Sequence, residues 1–174
     1  MNDPQLKLHE SNVGDKFSVR KGTPADAGVI SALLTCAFVE FKHLYTPEAF
    51  VATVLPETDV LGRLDEGPLW VAEKQAAVIG TVGAICMPDS VMVRGMAVNP
   101  EGRGLGIGKA LLHVSEDFAQ QQGYDRLSLY TTAFLHRAIH LYQSSGFRFT
   151  GETANPHGTE LLRMEKALGG QGKR

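Results

Sequence analysis

Apolar residues fall at two spacings along this chain, every second position in some stretches and every third or fourth in others, and the switches mark the predicted elements. Residues 17–20, Phe-Ser-Val-Arg, alternate as a first strand does. Thr23-Pro24 with Asp26 supplies a helix start, and Val29, Ile30, Leu33, Leu34, Ala37, Phe38 and Phe41 keep a 3.6-residue period that predicts one buried stripe. From Lys42 to Glu66 the pattern weakens: Thr46-Pro47-Glu48 can open a second helix, and residues 60–64 offer a short one before Gly67-Pro68. Residues 69–73, 77–85 and 91–98 read as three β runs joined at Lys74-Gln75 and Pro88-Asp89-Ser90, an antiparallel meander. Ile107, Ala110, Leu111, Val114 and Phe118 return to the helical period until Gly123; residues 126–131 form a strand, 134–144 a helix ended by Gly146, and 147–152 and 160–166 two more strands. The strand-helix-strand over 91–131 predicts a parallel pair. The sum is a mixed α/β (α+β) domain over 17–167, with a central, mostly antiparallel twisted sheet of about seven strands and about four helices. Residues 1–16 and 168–174, polar or glycine-rich and aperiodic, read as mobile tails.

Composition narrows the classes. A chain of 174 residues, 43% hydrophobic and 21% charged, is an ordinary soluble globular domain. A formal charge of −2 and a pI near 6.3 leave no basic stripe for nucleic acid. No apolar run approaches the roughly 18 residues of a membrane span, and no basic region precedes an apolar stretch as in a signal peptide. Cys36 and Cys86 lack CxxC or zinc spacing and sit in apolar segments, which predicts buried thiols in a reducing, cytoplasmic setting.

The chemistry concentrates at one junction. The apolar run 91–98 breaks at Asn99-Pro100, and Arg103-Gly104-Leu105-Gly106-Ile107-Gly108 then leads directly into the helix. Glycines there let several backbone N–H groups converge where the first-turn donors of a helix lack internal partners, a place suited to an anion such as phosphate. Arg103 adds a cation, and Gly108 and Ala110 leave room for a bulky group near the backbone. A dinucleotide fingerprint fails, because Lys109 follows Gly106 at the third position, and a Walker loop fails at Arg103 and Ala110. A turn rich in glycine for steric reasons alone is the competing explanation.

Arg-x-x-Gly-x-Gly, preceded by Met96-Ala97-Val98-Asn99-Pro100 and followed by Ala138-Ile139-His140-Leu141-Tyr142 and Gly146-Phe147, resembles the GCN5-related N-acetyltransferase (GNAT) family. The resemblance is most specific between Met96 and Phe147 and is one of pattern before Glu73. It implies acetyl-CoA as co-substrate, no metal, and a sheet splayed at Asn99-Pro100 so that pantetheine pairs with an exposed strand edge. It further implies a cofactor site of Met96, Ala97 and Val98 on the strand, with Val98 lending backbone groups; Arg103, Gly104, Leu105, Gly106, Ile107, Gly108 and Lys109 in the turn; and Tyr142. The expected reaction is transfer of acetyl to a primary amine of a small molecule or peptide by direct attack in a ternary complex. Neither nucleic acid nor membrane is an expected partner, and a homodimer remains open.

Such a reaction needs a neutral amine, stabilisation of a developing oxyanion and a proton for the departing thiolate. Tyr142 matches the family's usual proton donor, although the same ring also falls on the apolar face with Leu135, Ala138 and Ile139 and could simply pack. The strand leading to the splay offers Arg94 and no carboxylate, and a guanidinium cannot act as base. Glu73 is the leading candidate base and His43 the second. The segment after the first helix walls the acceptor pocket in the family, so His43 and Tyr45, with Glu40 and Glu48, are candidate substrate contacts; solvated surface residues are the alternative. Leu135 stands where many relatives carry a cofactor-contacting asparagine. His136 and His140 have the i, i+4 spacing of a metal pair, but Arg137 between them and a polar face predict a solvated pair. A non-catalytic acyl-CoA-binding regulatory module is the competing function.

Overall fold

The structure, a computed structural model, describes residues 17–169. Seven strands form one sheet: β1 (Ser18–Lys21), β2 (Leu69–Lys74), β3 (Ala77–Cys86), β4 (Val91–Val98), β5 (Arg126–Thr131), β6 (Arg148–Ala154) and β7 (Leu161–Ala167), in the spatial order β1-β2-β3-β4-β5-β7-β6. Every neighbouring pair is antiparallel except β4–β5, which is parallel because α4 crosses between them. Five α-helices accompany the sheet: α1 (Ala27–Phe38), α2 (Pro47–Val54), α3 (Glu57–Glu66), α4 (Ile107–Gln121) and α5 (His136–Ser144). The weakly patterned stretch yields two of them. It divides at Leu55-Pro56, where the proline forces its predecessor out of the helical region and then stands as the N-cap of α3. Thr46 starts α2 with its hydroxyl accepting from the Ala49 amide at 3.1 Å and Pro47 at the first helical position.

The two faces of the sheet have separate cores. Ile107, Leu111 and Leu112 of α4 pack with Val82, Leu127, Phe147 and Met164 on one face; Ile30 and Leu34 of α1 and Val60 of α3 pack with Leu69, Val71 and Ala97 on the other. Phe147 is fully buried, and truncating it would cost about 3–5 kcal/mol.

The feature that shapes the site is where β4 and β5 part. Their register holds only at Val91↔Leu127 and Met92↔Ser128, so divergence begins at Val93 and not, as expected, at Asn99-Pro100. A β-bulge explains the earlier opening. Gly83 faces Arg94 and Thr81 faces Ala97, so Gly95 and Met96 together stand opposite Val82, with Gly95 at φ +57° where a side chain is disfavoured. The bulge bends β4 away from β5 and leaves the edge of its C-terminal half unpaired.

Several expectations change. Cys36 and Cys86 are both exposed: Cys36 lies off the buried stripe of α1, and Cys86 closes β3 at the sheet's end. The continuous helical run Pro24–Leu44, 21 residues with a window of mean hydropathy 1.4, is long and apolar enough to cross a bilayer by length and composition. Interruption by Asp26, Glu40 and Lys42 hides this in the sequence, and its Ala27, Ile30, Leu33, Leu34 and Ala37 are buried. Leu168, assigned to the C-terminal tail on sequence, is buried and donates its amide to Asp125 O at 2.7 Å; the remaining tail residues except Gly169 lie outside the described residues.

Candidate active site

The glycine turn is open where the sequence required. Asn99 halts β4, its side chain accepting from the Glu101 amide at 3.0 Å, and a short 3-10 turn over Pro100–Gly102 leads into Arg103. Gly104 and Gly106 then adopt φ of +84° and +83°, conformations that L side chains rarely take. A Cβ at either would meet nothing within 4 Å, so strand-to-helix packing does not explain these two glycines. Gly106 is the N-cap of α4, placing the unpaired amides of its first turn beside the open backbone. Gly108 differs from the expectation: a Cβ there would stand 2.6 Å from Leu141 Cδ2 and 3.3 Å from Met96 Cε, so its bareness lets α5 and β4 approach α4.

Around this turn lies a cleft of about 430 Å³. It brings together the predicted Met96, Ala97, Val98, Arg103, Gly104, Gly106, Ile107, Gly108, Lys109 and Tyr142. Leu105 is not in its lining; it is half-buried against the α4 core. Arg137, His140, Leu141 and Ser144 of α5 and Ala37, Phe38 and Phe41 beyond them complete the walls, none of them expected as site residues. The α5 group has a signal in hindsight, since positions 137, 140, 141 and 144 form a single helical stripe. Arg103, Lys109 and Arg137 place three cations on a lining that is mostly apolar apart from His140 and Ser144. Leu135 also lines the cleft and offers no polar atom from its side chain.

Tyr142 lies both in the cleft and on the core, where each of the roles weighed for it would need it. Its ring is buried, tilted against Phe147 with centroids 5.8 Å apart, and it belongs to the core as well as the cleft. Burial, with a smaller effect from the nearby Tyr45, pushes its phenol up to about 12. The group therefore stays protonated at every ordinary pH. Proton transfer from it to a free thiolate whose acid has a pKa of about 8.5 would be uphill by roughly 5 kcal/mol.

The other predicted residues lie apart from the cleft lining. Glu73 sits near the end of β2, where Arg20 Nη2 donates to it at 2.6 Å while the same guanidinium grips Asp26 at 2.8 Å. The structure does not bring Glu73 to the cleft, and its carboxylate is engaged by Arg20. His43 is exposed on the 3-10 segment Val39–Leu44. Tyr45 packs edge-on against Phe134 at 4.8 Å, with Thr53 and Thr132 near its phenol, whose pKa burial raises. Arg103 is held by Glu40 across the mouth of the cleft. His140 faces the cleft and His136 opens α5, and among the described residues no three His, Cys, Asp or Glu side chains gather as a metal site.

Comparison with known proteins agrees with this geometry. The model of the acetyltransferase (GNAT) family matches residues 31–147. Human N-acetyltransferase 8B is 40% identical over 90 residues, covering 48% of this chain and 40% of that protein, so the matched segment spans well under half the length of that relative. Among solved structures, the PaiA N-acetyltransferase from Thermoplasma acidophilum in complex with coenzyme A superposes with a TM-score of 0.74 at 16% identity, covering 88% of this chain and 99% of that one. The ribosomal-protein-S18-alanine N-acetyltransferase from Escherichia coli gives 0.73 at 17% identity, covering 91% and 98%. These structural likenesses establish the fold, and with the family match over more than half its length the chain belongs to the GNAT acetyltransferase family.

Proposed function

We propose that the protein is an acetyl-CoA-dependent N-acetyltransferase that acylates a primary amine of a small molecule or peptide by direct attack within a ternary complex. The observation that carries the proposal is the unpaired edge of β4 beyond Met92 running into two glycines whose faces are open, with Tyr142 in the same cleft. Bound acetyl-CoA supplies the activated acyl thioester. The chain's own residues fit that group: the amides from Gly104 to Lys109 suit a pyrophosphate, with Lys109 and Arg137 adding charge. Backbone groups of Met96 and Val98 can pair with the amides of an extended chain, as an added strand would. A backbone N–H near Val98 stabilises negative charge on the acyl oxygen, and Tyr142 gives its proton to the leaving sulfur.

Two observations favour a second reading, a non-catalytic acyl-CoA-binding module: Arg94 occupies the approach to the splay, and Glu73 is tied to Arg20. Two measurements separate them. CoA should raise the melting temperature, as any ligand selective for the folded state does, and thiol release from acetyl-CoA should accelerate with amines in a panel of amino acids, polyamines and peptides. Thermal stabilisation without amine-dependent thiol release would favour the binding module. No stabilisation by CoA would remove both.

A further inference from the structure

Arg94 lies two residues before Met96 of the cleft wall, at most about 7 Å along the strand. It stands where β4 has left β5, with its side chain 19% exposed and its Nη2 donating to Glu66, the last residue of α3. A second guanidinium is beside it. Arg63 of α3 places Nη1 3.2 Å from where a Cβ of Gly95 would stand, directly against the bulge that opens the strand edge. Among the described residues the Arg63 side chain makes no hydrogen bond or ion pair, while its backbone carbonyl accepts from the Gly67 N–H at 3.3 Å. Its surroundings are apolar: Ile30, Leu34 and Val60 line the same small pocket with Arg63, Arg94 and Gly95. Desolvation and the repulsion of Arg94 lower its pKa against weaker pulls from Glu66 and Asp59, as for a cation short of an anion.

The free space there is about 10 Å³, room for one water at most. A ligand's anion therefore cannot fill a void and has to exchange for something. Glu66 is the group to exchange, because its carboxylate is 51% exposed, sits at a helix end and precedes Gly67.

We propose that Arg63 and Arg94 are the specificity residues for the acceptor, and that the acetylated amine belongs to a molecule carrying a carboxylate, which takes the place of Glu66 on this guanidinium pair. Two planar forks match a carboxylate better than any single ammonium would. The site also accounts for an arginine on the strand that leads to the splay. It rests on the acetyl-transfer reading above.

The test uses matched acceptors, α-amino acids and their carboxamides, in thiol-release assays and in calorimetric titrations of the CoA-loaded protein. In the parent, acids should exceed their amides by about tenfold or more in both kcat/KM and affinity, the range for a charge-assisted bond. Arg63→Gln and Arg94→Gln should each level the pair through KM with CoA affinity unchanged, and Arg94→Lys should restore part of the difference. Glu66→Gln should do the reverse, lowering KM for acids by about threefold and leaving amides unmoved. Acids and amides used alike by the parent, a Glu66→Gln variant with unchanged KM, or a preference confined to phosphorylated amines such as O-phosphoethanolamine would each overturn the proposal. The two readings fail separately: acids bound through Arg63 and Arg94 without thiol release would refute acetyl transfer and leave the anion site, while equal turnover of acids and amides would refute the anion site alone.

Discussion

The two sides of the cleft are made of different material. The turn side is backbone: amides and bare glycines between Met96 and Lys109, contiguous in sequence, with side chains needed for little beyond charge. The opposite side is made of side chains from distant segments, Phe38 and Phe41 from the end of the first helical run and Arg137, His140, Leu141 and Tyr142 of α5, with Phe41 and Tyr142 held by ring contacts to Phe134 and Phe147. A main-chain site recognises a group that every amine shares as its donor, whereas a side-chain site can change with the acceptor. Substitutions should therefore separate the sides by what they alter: cofactor affinity on one, turnover and acceptor choice on the other.

The largest effect should come from Tyr142, which is where the sides meet. Tyr142→Phe keeps the ring against Phe147 and should lower kcat by roughly a hundred- to ten-thousandfold with unchanged KM for acetyl-CoA. Because its phenol lies near 12, kcat should show no alkaline fall from this group in the ordinary assay range. An acyl donor with a more acidic leaving thiol should narrow the gap between variant and parent. Loss of stability with normal kcat would return Tyr142 to packing alone.

The next effect belongs purely to the turn side. Gly106→Val forces a β-branched residue into φ +83° and fills the open face beside the first amides of α4. Isothermal titration should show CoA affinity down by roughly ten- to a hundredfold, the loss of a charge-assisted amide contact of about 1.5–3 kcal/mol, while the backbone strain shows as lower stability. Unchanged affinity in a folded variant would place the cofactor elsewhere.

This division also explains what could be read from the sequence. The strands, α4 and the parallel crossing were legible because their periods are long and regular, and the turn because Gly104, Gly106 and Arg103 act through spacing alone. The start of the splay was not, since a bulge depends on the register of β4 against β3, and Gly95 inside an apolar run gives no register. Arg137 and His140 face the cleft only because α5 lies across the turn, a tertiary fact. Glu73 looked free as a carboxylate at a strand end, but its partner Arg20 is 53 residues away. Cys36 looked buried because its neighbours are apolar, although it lies between the stripe positions Leu33, Leu34 and Ala37.

Ion pairs frame the start of α1, so acid should loosen the side-chain half. Arg20 and Thr23 hold the Asp26 carboxyl far below its usual range. A depressed carboxylate contributes stability that is fully present above its unfolded pKa of about 3.9 and is lost as pH falls toward the folded value. Asp26→Asn should cost about 1–3 kcal/mol in denaturant melts at neutral pH, with the difference from the parent shrinking below about pH 4. A difference independent of pH would assign the loss to packing.

The smallest effect should come from the ion pair between Arg103 of the turn and Glu40 of the segment after α1. Glu40 is 46% exposed, so the pair itself contributes little, about 0–1 kcal/mol, and its removal should leave the melting temperature almost unchanged. Its consequence is for charge. While Glu40 holds the guanidinium, Arg103 has to leave a carboxylate before it can serve a phosphate; Glu40→Gln removes that competitor without removing the cation. CoA affinity should then rise by up to about fivefold, more at low salt than at high, because screening weakens both the old pair and the new one. Arg103→Gln should move affinity the other way and flatten its salt dependence. If Glu40→Gln weakens CoA binding instead, the pair is closing the cleft around the cofactor rather than competing for Arg103, and the two sides are mechanically coupled.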